Sequence, residues 1–497
     1  MGKLLRLSTV CAAAVALCAA GCGAEVHKHA DADGNGLCDG CGERMTVELS
    51  FYAINDLHGK YIDTDVQPGL DEFTAYMKAL YADPAREEIL LSSGDTWQGT
   101  VESSTNKGRL LTEWMNELDF AAMTLGNHEY DWGSQVLKPN SELAEFPFLA
   151  INVTQNGKPA DYCRASTVVE RGGVKIGIIG AIGDCLGSIS GDFTAGLQFA
   201  TGGALTSLVK AESKKLRAEG CEFIVYSIHD GYGESFSASS VNEVSSREIS
   251  SYYDVSLSDG YVDLVFEGHT HQRYILKDEH GVYHLQGGGE NSFVSSAEVS
   301  LNRATREFTV KPRLISSSVY ASGASDPVVG ELFDKYFPTD NPYTTVLGTN
   351  SARRNSTEVC TLLAKLYYET GVKQWGGEYK IALGGGYLKL RSPYRIEAGS
   401  VTYAQLFSVL PFDNDIVLGK IKGSDLKSRF LSGADNYYCF TALKASEISD
   451  DSYYYIIVDS YSSTYRYNRI TEVARLGGEK YARDLLADFV AGGGWKH

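Results

Sequence analysis

Five of the ten histidines in this 497-residue chain fall in four short segments, three of which also carry acidic or amide side chains. Those segments are Asn55-Asp56-Leu57-His58, Gly126-Asn127-His128-Glu129, Ser227-Ile228-His229-Asp230 and Gly268-His269-Thr270-His271, with Ser93-Gly94-Asp95-Thr96 as a fifth that lacks histidine. Imidazole, carboxylate and amide donors without a thiolate suit borderline and hard divalent ions such as Zn, Mn, Co or Mg. The set offers more ligands than one tetrahedral ion needs, and two ions sharing a carboxylate would use it. Read alone, Asp56-Leu57-His58 fits a hydrogen-bonded strand end as well as a ligand pair; four comparable segments downstream favour the ligands.

The elements that must position these groups are legible as alternating patterns. Apolar runs at Phe51 to Ile54, Ile89 to Leu91, Val174 to Ile179, Phe223 to Ile228 and Val262 to Phe266 read as strands, and Glu72 to Tyr81 and Leu205 to Ala218 as helices. This alternation predicts an α/β domain, with polar segments gathered at the carboxyl ends of its strands. On a strand, side chains at i and i+2 share a face, so the spacing predicts that Asp56 and His58 point the same way by strand alternation. A Ser-, Ala- and Gly-rich stretch near residue 320 marks a boundary. The expected organisation is a first domain over 46–320, a linker over 321–344 holding a helix from Pro327 to Tyr336, and a second domain over 345–497.

The amino terminus reads differently. Lys3 and Arg6 precede an apolar run that ends in Ala19-Ala20-Gly21-Cys22. This is the pattern of an export signal over 1–21, and its last four residues resemble a bacterial lipobox, which implies lipid attachment at Cys22 and a location outside the cytoplasm. Residues 22–45 then form a tether with two overlapping metal patterns. Asp31, Asp33, Asn35 and Asp39 follow the first positions of a calcium loop but lack its last ligand. His27 and His29 with Cys38 and Cys41 offer a zinc set of non-standard spacing, and a disulfide or a plain acidic spacer is the simpler alternative. Ten cysteines scattered along the chain are no disulfide framework, and a net charge of -18 disfavours a nucleic acid polymer as partner.

Taken in order, D-x-H, G-D, G-N-H-E, H and G-H-x-H resemble the calcineurin-like metallophosphoesterases. Gly126-Asn127-His128-Glu129-Tyr130-Asp131 with Leu410-Pro411-Phe412 downstream resembles, more narrowly, the bacterial 5'-nucleotidase and UDP-sugar hydrolase group. That resemblance implies a four-layer α/β/β/α catalytic domain followed by a smaller α/β substrate-binding domain. It further implies Asp56, His58 and His271 on one metal, Asn127, His229 and His269 on the other, and Asp95 bridging. His128 would act beside the substrate, oriented by Asp131, whose alternative role is a helix cap.

In the second domain the resemblance implies that Phe412 and Tyr461 stack on a base and that Asn414 hydrogen-bonds it. The chain departs from the family pattern there. Leu383-Gly384-Gly385-Gly386-Tyr387-Leu388-Lys389-Leu390-Arg391 lacks the arginine at its usual spacing, leaving Lys389, Arg391, Arg353 or Arg354 as phosphate-binding candidates or as solvated charges. Tyr461-Ser462-Ser463-Thr464-Tyr465-Arg466 lacks the usual glycines and aspartate, so either Tyr465 and Arg466 rebuild the pocket for another ligand or the tyrosine run is a strand surface. The implied function is hydrolysis of extracellular nucleotides at their 5'-phosphate by water activated between two ions. Cyclic-nucleotide phosphodiesterase and UDP-sugar hydrolase activities are the alternatives within the fold, and a non-catalytic nucleotide or sugar binder is the alternative outside it.

Overall fold

A computed structural model describes residues 28–62, 69–83, 86–189, 193–321, 323–338, 340–433, 436–477 and 480–496. The export signal, Cys22 and His27 lie outside the described residues, as does the side chain of Tyr465. The chain divides into two compact units, Met1–Val47 with Leu301–Glu307, and Glu48–Ser300 with Phe308–His497.

Two sheets build the amino-terminal part of the larger unit. In the six-stranded sheet Thr46–Ile54 pairs in parallel with Glu88–Ser92, which pairs in parallel with Ala122–Thr124. In the seven-stranded sheet Phe223–His229 lies between Val174–Ile182 and Leu264–Glu267, again in parallel. Every residue of Phe223–His229 is buried, which is why this strand reads as an unbroken apolar run and not as an alternation. The sheets meet face to face: the Phe51 and Phe223 rings lie 5.6 Å apart, and Thr124 Oγ1 donates to Ser227 Oγ across the interface (2.7 Å).

Helices cover the outer faces. Leu70–Tyr81 buries Leu70, Phe73 and Met77, and Gly202–Ala218 buries Leu205, Val209 and Leu216, the three- and four-residue spacings of an amphipathic helix. The result is the expected four layers. Because the parallel strands of both sheets run the same way, the loops that follow Ile54, Ser92, Thr124, His229 and Glu267 emerge along one edge.

The carboxyl-terminal part is a five-stranded sheet in the order Tyr437–Thr441, Ile381–Tyr387, Tyr453–Asp459, Ile416–Lys422 and Thr471–Arg475. Helix Ser356–Trp375 packs on it through Val359, Leu363 and Tyr367, and starts with a capping box in which Asn355 Oδ1 accepts from Glu358 N (3.0 Å) and Glu358 returns to Asn355 N (2.8 Å). A Cβ at Gly384 would fall 2.2 Å from the Tyr368 nitrogen, so the glycine run is what lets this helix lie against the strand. The Tyr461 segment is no strand: Ser462–Arg466 forms a single π-helical turn after the strand Tyr453–Asp459.

Candidate metal centre and active site

The strand ends do not simply run out into turns. Asp56, His58, Asp95, His269 and His271 all adopt positive φ, between 49° and 67°. Left-handed backbone is uncommon for such residues and costs of the order of 1–3 kcal/mol each, so it persists only where the surroundings enforce it. Here they do: Asp56 N donates to Gly94 O (3.0 Å) and His58 N to Asp95 O (3.0 Å), tying the first loop to the second. This corrects the expectation of strand alternation. The strand stops at Ile54, and two left-handed residues, not a pleat, turn Asp56 and His58 into the same space.

Six of the seven expected ligands fall into two clusters, Asp56, His58 and His271 in one, and Asp95, His229 and His269 in the other, and a third grouping of His58, Asp95 and His128 links them. His58 Nε2 and His271 Nε2 lie 3.0 Å apart, and Asp56 Oδ1 is 3.3 Å from His271 Nε2. One Asp95 oxygen, Oδ2, lies 3.0 Å from His229 Nε2 and 3.9 Å from His58 Nε2, between the clusters. The seventh, Asn127, sets Oδ1 2.9 Å from His269 Nδ1.

The donor chemistry fits divalent cations. His58 Nδ1 donates to Gln98 O (2.9 Å) and His229 Nδ1 to Ser93 O (2.7 Å), which leaves each Nε2 lone pair aimed inward. Buried Asn127 Nδ2 has no hydrogen-bond partner, and buried His229 Nε2, 3.0 Å from Asp95 Oδ2, makes no aligned hydrogen bond, a cost that a cation at this place removes for the imidazole. Without metal charge the imidazoles divide. Burial holds His58 well below its ordinary range, with Arg391 adding to the effect, and takes His269 down to about 4. Burial also opposes protonation of His229, yet Asp95 overrides it and raises that group to about 10.

His128 differs from the others. Its Nδ1 lies 2.7 Å from Asp131 Oδ2, and its Nε2 faces Asp95 Oδ2 at 4.0 Å. Burial pulls this imidazole down, but Asp131 and Asp95 outweigh it and leave His128 above its ordinary range. Asp131 follows the 3-10 turn His128–Tyr130, and its carboxylate serves His128.

Sequence reading missed the brace beneath this group. Glu129 is fully buried and accepts from Asp95 N (2.9 Å), Thr96 N (2.8 Å) and Gly126 N (2.7 Å), so one carboxylate pins two ligand loops. Burial, with Asp95 nearby, raises it to about 7. Its signal was the acidic residue beside His128, buried in a segment otherwise read for its ligands. A second brace lies under Gly268–His271. Glu267 accepts from Tyr274 Oη (2.5 Å), and His284 bridges Glu267 (2.7 Å) and Asp278 (3.4 Å).

The second domain closes a cavity of about 290 Å³ over the cluster, lined by Asn127, His128, Lys389, Arg391, Phe412, Asn414, Tyr461 and Arg466 among others. Arg391 Nη2 lies 3.3 Å from His58 Nε2 and its guanidinium covers the Phe412 ring at 5.5 Å. The Phe412 ring stacks on His128 (5.4 Å, 27°). Arg353 and Arg354 are not among the lining residues; Arg354 is committed to Asn350 Oδ1 (3.3 Å) and Glu358 (3.8 Å) beside the helix start. Arg466, expected with Tyr465 as a residue that rebuilds the pocket, is among the lining residues, and one further participant, Arg483, was not foreseen. Arg466 packs over both Tyr387 (4.4 Å) and Tyr461 (5.4 Å), and buried Arg483 donates to Phe412 O (2.9 Å) and pairs with Asp413, supporting the Phe412 loop.

In the smaller unit His29, Cys38 and Cys41 converge, and so do Asp31, Asp33 and Asp39, with Asn35 Nδ2 donating to Asp33 Oδ2 (2.9 Å).

Comparison with known proteins gives the same division. The calcineurin-like phosphoesterase family matches residues 49–273, and the 5'-nucleotidase C-terminal domain family matches residues 339–479. An apyrase from Tabanus yao is 24% identical over 425 residues, covering 77% of this chain and 72% of its own. A 5'-nucleotidase from Vibrio vulnificus is 23% identical over 482 residues, covering 86% and 81%. The crystal structure of a 5'-nucleotidase precursor from Thermus thermophilus shares the fold with a TM-score of 0.71 at 19% identity, covering 90% of this chain and 96% of its own. The chain therefore belongs to the metal-dependent hydrolases that join a calcineurin-like phosphoesterase domain to a 5'-nucleotidase C-terminal domain.

Proposed function

We propose that this protein is an exported, two-metal phosphoesterase that releases phosphate from nucleotides at the 5' position. The observation that carries the reading is the position of His128: paired with Asp131, facing Asp95 at the inner end of a cavity that also holds Phe412 and Arg391. Asp56, His58 and His271 would hold one divalent cation, Asn127, His229 and His269 the other, with Asp95 shared. Cations there supply Lewis-acid charge for the phosphoryl oxygens and make water a nucleophile at neutral pH.

The chain's own groups do the rest. Asp131 keeps the His128 proton on Nδ1 or the ring charged, and His128 Nε2 faces the cavity as proton donor to the leaving alkoxide, a contribution of about 10²–10⁴ in rate. Arg391 presents a guanidinium to phosphate oxygens beside the cluster. Phe412 and Tyr461 offer faces for a base, and Asn414 a hydrogen-bonding amide. Lipid attachment at Cys22, after removal of residues 1–21, would hold the enzyme at a membrane surface; no helix among the described residues is long and apolar enough to cross one.

A second reading, hydrolysis of a nucleotide that carries another anionic group, as a nucleotide sugar does, is favoured by Arg466 stacked in the place where a base would lie. Phosphate release from a panel of nucleoside monophosphates, cyclic nucleotides and UDP-sugars, with Mn or Zn added, tests both. Release from monophosphates alone supports the first reading. Release from none with either metal favours a non-catalytic binder.

A further inference from the structure

Residues 28–45 hold a compact fold with almost no apolar core. Among the described residues of this stretch Cys38, 2% exposed, is the one buried hydrophobic side chain, and Leu37 is 42% exposed. Burial of apolar surface cannot stabilise so small a turn, and segments of this kind are held by a crosslink or a metal. The backbone is nevertheless specific. Leu37 and Arg44 form an antiparallel bridge, Cys38 N donates to Glu43 O (2.7 Å), and Gly42 N donates back to Cys38 O (2.7 Å). Gly42 takes a φ of 74°, which closes the Cys38 to Cys41 turn so that both sulfurs face one side. Asp39 N donates to Ala30 O (2.8 Å), laying the His29 segment alongside. Arg303 anchors the far end through Met45 O (2.9 Å) and Arg44 O (3.1 Å).

Three soft or borderline donors meet at this turn. His29 Nδ1, Cys38 Sγ and Cys41 Sγ all lie within 4.8 Å of one another. His29 Nδ1 and Cys41 Sγ are 3.5 Å apart. A tetrahedral zinc ion, with bonds of about 2.3 Å to sulfur and 2.0–2.1 Å to nitrogen, sets such a pair about 3.5 Å apart.

We propose that His29, Cys38 and Cys41 form a structural zinc site, separate from the catalytic cations, that orders the amino-terminal segment. Two thiolates and an imidazole select zinc over calcium or magnesium, whose preferred ligands are oxygens. His27, two residues upstream in sequence, is outside the described residues and is not assigned to the site.

The site is separable from the catalytic one because the catalytic donor set contains no cysteine. The full chain is loaded with cobalt, whose thiolate complexes absorb in the near ultraviolet, and its zinc content is measured after dialysis. The expected wild type shows the cobalt–thiolate band; the Cys38→Ser, Cys41→Ser double variant loses the band and one zinc per chain, while phosphate-ester hydrolysis stays within about twofold. His29→Gln, which keeps both sulfurs, is expected to shift the band and weaken zinc retention. Absence of the band in reduced wild type, zinc content unchanged in the double variant, or a Cys38–Cys41 disulfide that persists when zinc is supplied would each overturn the proposal.

Discussion

The two ends of the catalytic cavity are built on different principles. At the inner end donors from five loops are fixed by backbone: left-handed residues at Asp56, His58, Asp95, His269 and His271, and hydrogen bonds from loop to loop. At the outer end the Arg466 guanidinium lies over the Tyr387 and Tyr461 rings, and Arg466 sits in one π-helical turn that Tyr461 caps. Metal ligation tolerates positional error of tenths of an ångström and few residue types, whereas stacking accepts many rings and cations in many registers. The first end is therefore rigid in chemistry and the second is free to vary.

If this contrast holds, damage at the inner end should abolish the reaction and damage at the outer end should redirect it. Asp95→Asn is expected to have the largest effect, loss of bound metal together with hydrolysis at background, measured by metal analysis beside a phosphate assay. Glu129→Gln removes the carboxylate that pins two ligand loops and should cost about 10–100-fold in metal affinity or activity, the size of an outer-shell loss. A Glu129→Gln enzyme with unchanged metal affinity and unchanged rate would show that the loops hold themselves.

At the outer end Tyr461→Ala should raise KM for a nucleotide with little change in kcat, by about 5- to 150-fold if one base stack of roughly 1–3 kcal/mol is lost. Arg466→Gln should leave nucleoside monophosphates almost unaffected and weaken any substrate bearing a second anion. Equal losses for both classes would place Arg466 in the fold and not in recognition.

The smallest effect is on stability. His284 is fully buried between Glu267 and Asp278; burial works against its charge, but the carboxylates raise it to about 9, above the ordinary value near 6.5. A raised folded value means that this contribution is complete below the ordinary value and is lost as pH climbs to about 9, at a slope of at most about 1.4 kcal/mol per pH unit. Thermal unfolding between pH 6 and 10 should show that decline in the wild type, and a flatter profile in His284→Gln.

The same contrast governs what was legible in the sequence. Strand runs and helices were readable because buried parallel strands impose unbroken apolar stretches such as Phe223 to Ile228, and the polar segments at their ends fell together once the strands ran parallel. The route from Asp56 to His58 was not readable, since a left-handed backbone leaves no mark on a residue type other than glycine. Glu129 and His284 were hidden because burial, not type, makes them braces. Arg354 stayed open between phosphate ligand and solvated charge because a helix-start arginine with Glu358 four residues on is equally an ordinary ion pair. Arg466 was legible as a pocket residue from the altered segment that carries it, whereas Arg483 depends on contacts with the Phe412 loop made across the second domain, which no local pattern encodes.

The central claim is that His128 acts on the substrate and is not a metal ligand. Metal content and turnover of His128→Ala, measured on the same preparation, test it directly. The account predicts metal per chain equal to the wild type with kcat lowered about 10²–10⁴-fold. Wild-type turnover, or loss of turnover together with loss of metal, would contradict it.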